Sequence, residues 1–493
     1  MNDSLGIKGK IVSGLIWIQF ARIYEQGIRF FSGIYLARTI APEFFGQQAY
    51  AIGIFAIMSL IVMFGQDLFI IRQDFSKKDQ EEVKILLGSQ ISIRIGLTLL
   101  LFTILLLLWT ANIIPINQDM KIFVFVLLIG QAPNYIITIY SHYMEKLLHF
   151  KKLALINVIS TSIAVFTGVY LAFQGQTIWA LLAIVILKNI CAAILTLILS
   201  PTLVKPIVNL KSIKQFFDFG KILFISDSAG RIYSKIDQLS IGSIINIKAL
   251  GFYQRALILL HLIDSLIGAT ITQVTVAAIG KIKQSNDATD KTLQQSIELL
   301  TRLSIALILW VGITASEVIP ILYGENWLPS VVLVQLLMPY ALCFSLNNLL
   351  RRTEVVSGTP KSVMIIRIIQ LMLLGILLYP MITIWNANGV AIAVDISMIV
   401  STILLFRIIK MHITLNLKKI FFIPIVIVCL SSISTLLIKF QLANLVGTFE
   451  LFFIESTIYW LITITMFYIL ERSLFFQIKD VLLSRVLKML KYN

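Results

Sequence analysis

Three charged residues lie close together in an otherwise apolar stretch near the amino terminus. Arg22, Glu25 and Arg29 are three and four residues apart, so they share one face of a helix. A charged side chain at the centre of a bilayer costs at least about 2.5 kcal/mol, so such residues face a protein interior or a wet cavity. An arginine donates two parallel hydrogen bonds to a phosphate. This helix face therefore predicts an anion site.

A second set of the same kind follows about 205 residues later. Asp227, Arg231 and Lys235 are spaced by four residues, and one base again remains after the acid is matched. We predict that both sets bind substrate. Three further arginines inside apolar segments are predicted to join them: Arg94, Arg302 and Arg367.

A simpler interpretation of the intramembrane charges remains open. Acids and bases three or four residues apart can neutralise each other and do no more than hold helices together. Glu298 and Arg302 have that spacing near the end of an apolar segment, as do His261 and Asp264 in another. For His261, a hydrogen-bonded structural role is the alternative to a proton switch.

The elements that carry these charges are repeated in the sequence. The matching pairs are ARIY at 21–24 with GRIY at 230–233, FFGQQA at 44–49 with ALGFYQRA at 249–256, and Pro133 with Pro339. We predict two six-helix copies that enter the membrane in the same direction, with the repeat axis along the membrane normal. The two prolines bend their helices, either at a binding site or as kinks without a function.

Composition places the chain in a membrane. Of its 493 residues, 58% are hydrophobic and 13% are charged, against about 25% charged in soluble proteins. The mean hydropathy is +0.91. Apolar runs of about 20 residues, the length of a membrane-spanning helix, recur from end to end. We predict an all-α polytopic membrane protein with about 14 transmembrane helices, two of them additional to the repeats.

The net charge of +16 is interpreted as a topology signal rather than a nucleic-acid site. Lys and Arg residues outside the predicted spans fall almost entirely on one side, and the positive-inside rule places that side and both termini in the cytoplasm. The first helix follows a short basic segment without a small-residue cleavage site. It is therefore expected to remain as an anchor.

The predicted domain organisation follows the repeat. Residues 1–200 form an N-terminal six-helix lobe and residues 216–410 a C-terminal one, joined by a cytoplasmic linker at 201–215. Residues 411–471 add the two extra transmembrane helices. Residues 472–493 form a cytoplasmic amphipathic tail, because apolar residues recur there at helical spacing with basic residues between them.

Motifs for catalysis or cofactor binding are missing from the sequence. It has no Walker-type nucleotide loop, no HExxH, no GxSxG and no paired Cys and His cluster. Cys191, Cys343 and Cys429 lie within apolar helices, where they predict packing rather than a disulfide or a metal site. We predict a protein that is not an enzyme and uses no cofactor or metal.

Four motifs form a recognisable pattern along the chain. They are LARTIAPEFFG at 36–46, LGFYQRA at 250–256, LYGENWLP at 322–329 and GTPK at 358–361. In this order, and with 14 predicted spans, they resemble the polysaccharide export branch of the multidrug/oligosaccharidyl-lipid/polysaccharide (MOP) superfamily, the Wzx-like, WzxC-type flippases. The last three predicted spans match by hydrophobicity alone. One departure is QVTV at 273–276, where many relatives have a proline in the eighth helix.

The resemblance implies a MATE-like, V-shaped bundle whose two lobes open alternately to either side of the lipid bilayer. The implied substrate is an undecaprenyl-diphosphate-linked oligosaccharide, moved across the bacterial inner membrane for O-antigen, capsule or exopolysaccharide synthesis. The implied site is a cationic central cavity in which arginines of the first and seventh helices bind the diphosphate. A polysaccharide polymerase, assembly proteins and a coupling proton or sodium ion are the further partners that we consider.

Two other functions are compatible with a bundle of this kind. A drug/cation antiporter of the MATE type would need unpaired acids, for which Asp264 and Asp395 are candidates. A membrane glycosyltransferase or polymerase would need large outer loops, and the predicted loops are short. We therefore favour the flippase and keep the antiporter as the alternative.

Overall fold

The protein is almost entirely helical. The computed structural model describes residues 2–63, 80–110, 118–281, 286–357, 360–411, 415–442 and 445–472, and these ranges contain no strand. The α-helices in chain order are α1 (Asn2–Thr39), α2 (Pro42–Met63), α3 (Gln80–Thr110), α4 (Gln118–Lys146), α5 (Phe150–Phe173), α6 (Thr177–Leu199), α7 (Leu210–Ser240), α8 (Ile247–Ile263), α9 (Ala269–Lys281), α10 (Asn286–Ile313), α11 (Ala315–Tyr323), α12 (Ser330–Leu336), α13 (Met338–Ser357), α14 (Pro360–Lys410), α15 (Ile423–Leu442) and α16 (Thr448–Leu470).

Many of these helices are long and apolar enough to cross a membrane. Within the described ranges nine helices pass that test, or ten if the pair α12 and α13, bent by 49°, forms one span. Pro339, the predicted kink, lies at the start of α13 beside this bend. The all-α membrane fold predicted from composition is confirmed, whereas the number of 14 spans stays a prediction.

The long helix α14 contains a tight turn. Asn386 has φ 51° and ψ −134°, far from helical values. A Cβ atom on Gly389 would lie 1.9 Å from the carbonyl oxygen of Met381, although eight residues of a continuous helix would span about 12 Å. The chain therefore doubles back near Asn386, so that α14 consists of two helical segments joined by a tight turn.

Packing divides the chain into two compact units. The first comprises Met1–Gln254 and Arg367–Val390, and the second comprises Arg255–Ile366 and Ala391–Asn493. In the first unit α2 packs on α7, and α6 packs on both α4 and α5. In the second, α10 packs on α13 and α15, and α15 packs on α16. These units follow packing, whereas the lobes predicted at 1–200 and 216–410 follow the repeat, so the lobe boundaries stay a prediction.

The structure describes part of the predicted linker and almost none of the predicted C-terminal tail. Residues 201–209, within the predicted linker, are non-helical and pass beside α3, where the amide of Ile207 donates to the carbonyl of Gly88 at 3.2 Å. The predicted tail at 472–493 lies outside the described residues except for Arg472. The amphipathic helix proposed there therefore stays a prediction.

Two glycines related by the repeat allow its two copies to meet. A Cβ atom on Gly46 would lie 1.9 Å from the carbonyl oxygen of Ile247, and one on Gly251 would lie 2.1 Å from that of Pro42. The repeat relates Gly46 to Gly251 and Pro42 to Ile247, so the two contacts are reciprocal. Only glycine fits where backbones approach this closely. The sequence repeat thus appears as a local twofold relation within the first unit.

The last two helices are fixed to α10 in the second unit. Ile305 of α10 forms a buried cluster with Ile427 of α15 and Tyr459 of α16. The hydroxyl of Tyr459 also donates to the carbonyl of Ala306 at 2.7 Å. Although these helices resemble the flippases only in hydrophobicity, their attachment uses specific contacts.

Candidate functional site

One acid and two bases join α1 to α6. The carboxylate of Glu25 accepts a hydrogen bond from the ammonium of Lys188 and forms an ion pair with Arg29 at 3.1 Å. The exposed side-chain fractions are 23% for Glu25, 21% for Lys188 and 50% for Arg29. Two positive charges and one negative charge leave this anion cluster, as we call Glu25, Arg29 and Lys188, with a net charge of +1. Its most exposed member is an arginine.

Helix α1, which carries Glu25 and Arg29, is also joined to α5. The hydroxyl oxygens of Tyr24 and Ser162 are 2.7 Å apart and join the two helices beside Glu25. Arg22, about one turn before Glu25, is half-buried. The pairing of Glu25 with Arg29 follows from helical spacing, and the structure contains it.

Arg231 and Arg367 both belong to the first unit, where Arg367 packs against the residue that precedes Arg231. Arg231 is half-buried on α7. The guanidinium of Arg367 packs against the neighbouring Gly230, so that a Cβ atom there would lie 3.0 Å from an Nη atom of Arg367. The side chain of Asp227 lies outside the described part of the structure, and its pairing with Arg231 stays a prediction.

The third residue of the second set, Lys235, contacts its own helix. Its ammonium donates to the side-chain oxygen of Gln238 at 3.2 Å. The nearby Asp237 is buried and accepts a hydrogen bond from the hydroxyl of Tyr253 at 2.8 Å. This end of α7 is therefore tied to α8 by a buried acid.

Arg94 lines a cavity of about 450 Å³ within the first unit. It is fully buried on α3, and residues of α4 and α6 form the other walls. The lining is apolar apart from Arg94, Thr98, Tyr140 and Thr196. Pro133, inside α4, also lines the cavity, which favours the interpretation of this proline as part of a site.

Arg302 belongs to a buried ion network in the second unit. Its guanidinium donates two hydrogen bonds to Glu471 and one, at 3.3 Å, to the carbonyl of Lys419. The carboxylate of Glu298 lies 4.0 Å from Arg302 and 3.2 Å from the ammonium of Lys419. Only 3% of the Arg302 side chain is exposed. These contacts join α10 to the ends of the last two helices, and the substrate role of Arg302 stays a prediction.

Partners distant in sequence were missed by sequence reasoning. Lys188 gave a signal only as a lone base inside an apolar helix. Arg255 of the LGFYQRA motif lies 5.2 Å from the ring centres of both Tyr323 and Trp327 in the LYGENWLP motif. Two of the motifs that carry the family resemblance therefore form one cation–π contact.

The fold is similar to that of known transporters. A lipid II flippase, MurJ, in an inward closed conformation superimposes with a TM-score of 0.74 and 16% sequence identity, covering 94% of this chain and 100% of that one. An inward-facing multidrug resistance transporter of the MATE family, in the MOP superfamily, gives a TM-score of 0.56 and 14% identity, covering 80% and 94%. At these identities the similarity concerns the fold.

A curated relative is similar in sequence over part of its length. The teichuronic acid biosynthesis protein TuaB of Bacillus subtilis (strain 168) is 26% identical over 203 residues, which cover 40% of this chain and 41% of that protein. The aligned region therefore spans less than half of the relative.

The family follows from the sequence itself. The predicted kinship with polysaccharide biosynthesis proteins is confirmed by a family model, and the predicted MATE-like fold by the solved structures. The model of the family described as "Polysaccharide biosynthesis protein" matches residues 35–332, more than half of the chain, and the chain belongs to that family.

Proposed function

We propose that the protein is a flippase that moves an undecaprenyl-diphosphate-linked oligosaccharide across the plasma membrane by alternating access. Three findings support the proposal: the polysaccharide biosynthesis family, the fold shared with a lipid II flippase, and the sequence similarity to a teichuronic acid biosynthesis protein. In this proposal the oligosaccharide is a repeat unit of a bacterial surface polysaccharide.

The anion cluster on α1 and α6 is the single observation that carries the proposal. A diphosphate needs charge-assisted donors, and an arginine offers five N–H groups of which a single carboxylate accepts at most a few. Glu25 fixes Arg29 and Lys188 without cancelling both charges. The remaining positive charge and the half-exposed guanidinium of Arg29 are suited to a phosphate oxygen.

Other bases of the first unit extend this proposed site. Arg22 lies on α1, which also carries Glu25 and Arg29, and Arg231 and Arg367 are two further bases of the same unit. In our proposal these residues bind the rest of the diphosphate, while the apolar cavity beside Arg94 stays outside the phosphate site.

The setting of the protein is part of the proposal. A flippase for lipid-linked repeat units would act in the bacterial inner membrane, with both termini in the cytoplasm as the basic loops predict. A polymerase and assembly proteins would consume the translocated units. A proton or sodium ion would drive the transport.

The test is complementation of a deletion strain, with surface polysaccharide and accumulated lipid-linked precursor as the two measurements. The double variant Arg29→Ala/Lys188→Ala should lose surface polysaccharide and accumulate precursor while its membrane level stays normal. Arg38→Ala, an exposed arginine in the last turn of the same helix, is the matched control and should complement. Normal polysaccharide in the double variant would contradict the proposal.

A cation antiporter is the second candidate, and two acids of the second unit favour it. The carboxylate of Asp264 accepts from the hydroxyl of Ser345 at 2.7 Å, and that of Asp395 accepts from the amide of Tyr340 at 2.9 Å. Among the described side chains, no ion pair to either acid occurs. Drug susceptibility of the deletion strain separates the candidates, because an antiporter predicts increased susceptibility with normal polysaccharide.

A further inference from the structure

Three ionisable side chains from three helices meet in the second unit. Glu317 of α11 and Glu455 of α16 lie on either side of Lys439 of α15, with ammonium-to-carboxylate distances of 2.8 Å and 3.6 Å. The side chain of Glu317 is 6% exposed, and that of Glu455 is fully buried. None of these residues belongs to the anion cluster.

Lys439 has no hydrogen left for Glu455. A lysine ammonium has three N–H donors. Those of Lys439 go to the carboxylate of Glu317 at 2.8 Å, the hydroxyl of Ser316 at 2.9 Å and the carbonyl of Ile313 at 3.1 Å. Within the part of the chain that the structure describes, neither carboxyl oxygen of Glu455 has a hydrogen-bond partner.

A charged Glu455 would therefore be costly in this position. With all three groups ionised the cluster would carry a net charge of −1 without contact to water at Glu455. A buried carboxylate that accepts no hydrogen bond loses several kcal/mol of solvation, and binding a proton removes that cost.

We propose that Glu455 is a proton-binding site, occupied in this arrangement and emptied when water enters the contact among α11, α15 and α16. On release the O–H bond breaks, the proton passes to water, and a carboxylate remains beside Lys439. The path to water is short, because Glu455 is seven residues, or about 10 Å, from the start of α16. Lys439 itself keeps 20% of its side chain exposed.

The surroundings of Glu455 contain few other groups that titrate. Glu317 and Lys439 face it from α11 and α15. Tyr459, on the same helix as Glu455, donates to the backbone of α10. Cys429 of α15 lies near Tyr459. The charged residues of α10 end at Arg302, about 16 Å along the helix from Ile313. A titration observed here is therefore expected to belong to Glu455.

Infrared difference spectroscopy of the full chain in lipid nanodiscs tests the proposal. At neutral pH the wild type should show the carbonyl stretch of a protonated carboxylic acid, and this band should disappear as the pH rises. The component of this band that belongs to Glu455 should be missing in Glu455→Gln, a neutral variant of nearly the same shape, whereas other buried carboxyls such as Asp395 contribute equally to both spectra. That component should persist in Glu450→Gln, which removes an exposed acid of the same helix.

A third variant tests whether the band responds to the charges around Glu455. Glu317→Gln removes the second negative charge, so the band should disappear at a lower pH than in the wild type. A band that is unchanged in Glu455→Gln would overturn the proposal. A band that persists at every pH at which circular dichroism shows a folded protein would overturn it as well, since Glu455 would then be a permanently neutral structural residue. Neither result depends on transport, so failure here leaves the proposed flippase function intact.

Discussion

The anion cluster of the first unit and the Arg302–Glu471 pair of the second differ in burial and in charge balance. In the first unit, Glu25 contacts both Arg29 and Lys188, which leaves a positive excess and an arginine that is half exposed. In the second unit, Arg302 and Glu471 match each other and are 3% and 6% exposed. One arrangement leaves its donors accessible, whereas the other buries them.

The difference separates two duties of an intramembrane charge. The donors of Arg302 are directed to Glu471 and to the carbonyl of Lys419, so this arginine connects helices. Arg29 shares its acid with Lys188 and keeps accessible N–H groups that an incoming anion could occupy. We infer that stability depends mainly on buried pairs such as Arg302–Glu471, and substrate binding on accessible pairs such as Glu25–Arg29.

The largest effect is expected from breaking the buried pair. Glu471→Ala would leave the buried guanidinium of Arg302 with only the carboxylate of Glu298, at 4.0 Å, and breaking a buried pair typically costs about 3–5 kcal/mol. Thermal unfolding in detergent should show a large loss of stability. The double variant Arg302→Met/Glu471→Leu should recover most of it, because an apolar replacement leaves no unmatched charge. If Glu471→Ala were as stable as the wild type, the buried pair would not be a structural one, and the difference between the two pairs would be disproved.

Arg29→Ala should have the opposite profile. A half-exposed ion pair contributes about 0–1 kcal/mol, so thermal stability should change little. Transport should fall by roughly tenfold or more, since a charge-assisted hydrogen bond is worth about 1.5–3 kcal/mol. Flipping of a fluorescent lipid-linked diphosphate in proteoliposomes measures this. Arg29→Lys, which keeps the charge without the planar fork, should lie between the alanine variant and the wild type.

Sequence spacing revealed only the local half of each cluster. The pairs Glu25–Arg29 and Glu298–Arg302 were predictable because 3.6 residues per turn place positions four apart side by side. The partners Lys188 and Glu471 were not, because they are 163 and 169 residues away and meet these pairs only through packing.

The all-α membrane fold and the internal repeat were easier to predict, because composition and sequence repetition reveal them directly. The repeat of FFGQQA and ALGFYQRA anticipated the reciprocal contact of Gly46 and Gly251, although only the structure shows that the two glycines meet the partner backbone. In the sequence, Glu455 gave a signal only as a lone acid inside an apolar helix. Its neighbours Glu317 and Lys439 come from separate helices, and the hydrogen-bond count that isolates it needs coordinates.

The charge of the anion cluster can be tested separately from its shape. Lys188→Met lowers the net charge from +1 to 0 and should reduce transport by roughly fivefold, or about 1 kcal/mol. Glu25→Gln/Lys188→Met restores a net charge of +1 through Arg29 alone. Recovery of transport in the double variant would show that the charge excess matters. Equal loss in both variants would mean that Lys188 acts only by positioning α6 against α1.

The smallest effect is expected at Gly230, where the first unit packs Arg367 against α7. A methyl group there would meet the guanidinium at 3.0 Å, and because this side chain is flexible it can move by a few tenths of an ångström. Gly230→Ala should therefore lower transport by about twofold, or roughly 0.5 kcal/mol, and leave thermal stability nearly unchanged. Gly375→Ala on α14 is the matched control, since nothing lies within 4 Å of its added methyl group. If Gly230→Ala destabilised the protein as Glu471→Ala should, Arg367 would belong with structural residues such as Arg302, and it would no longer be part of the proposed phosphate site.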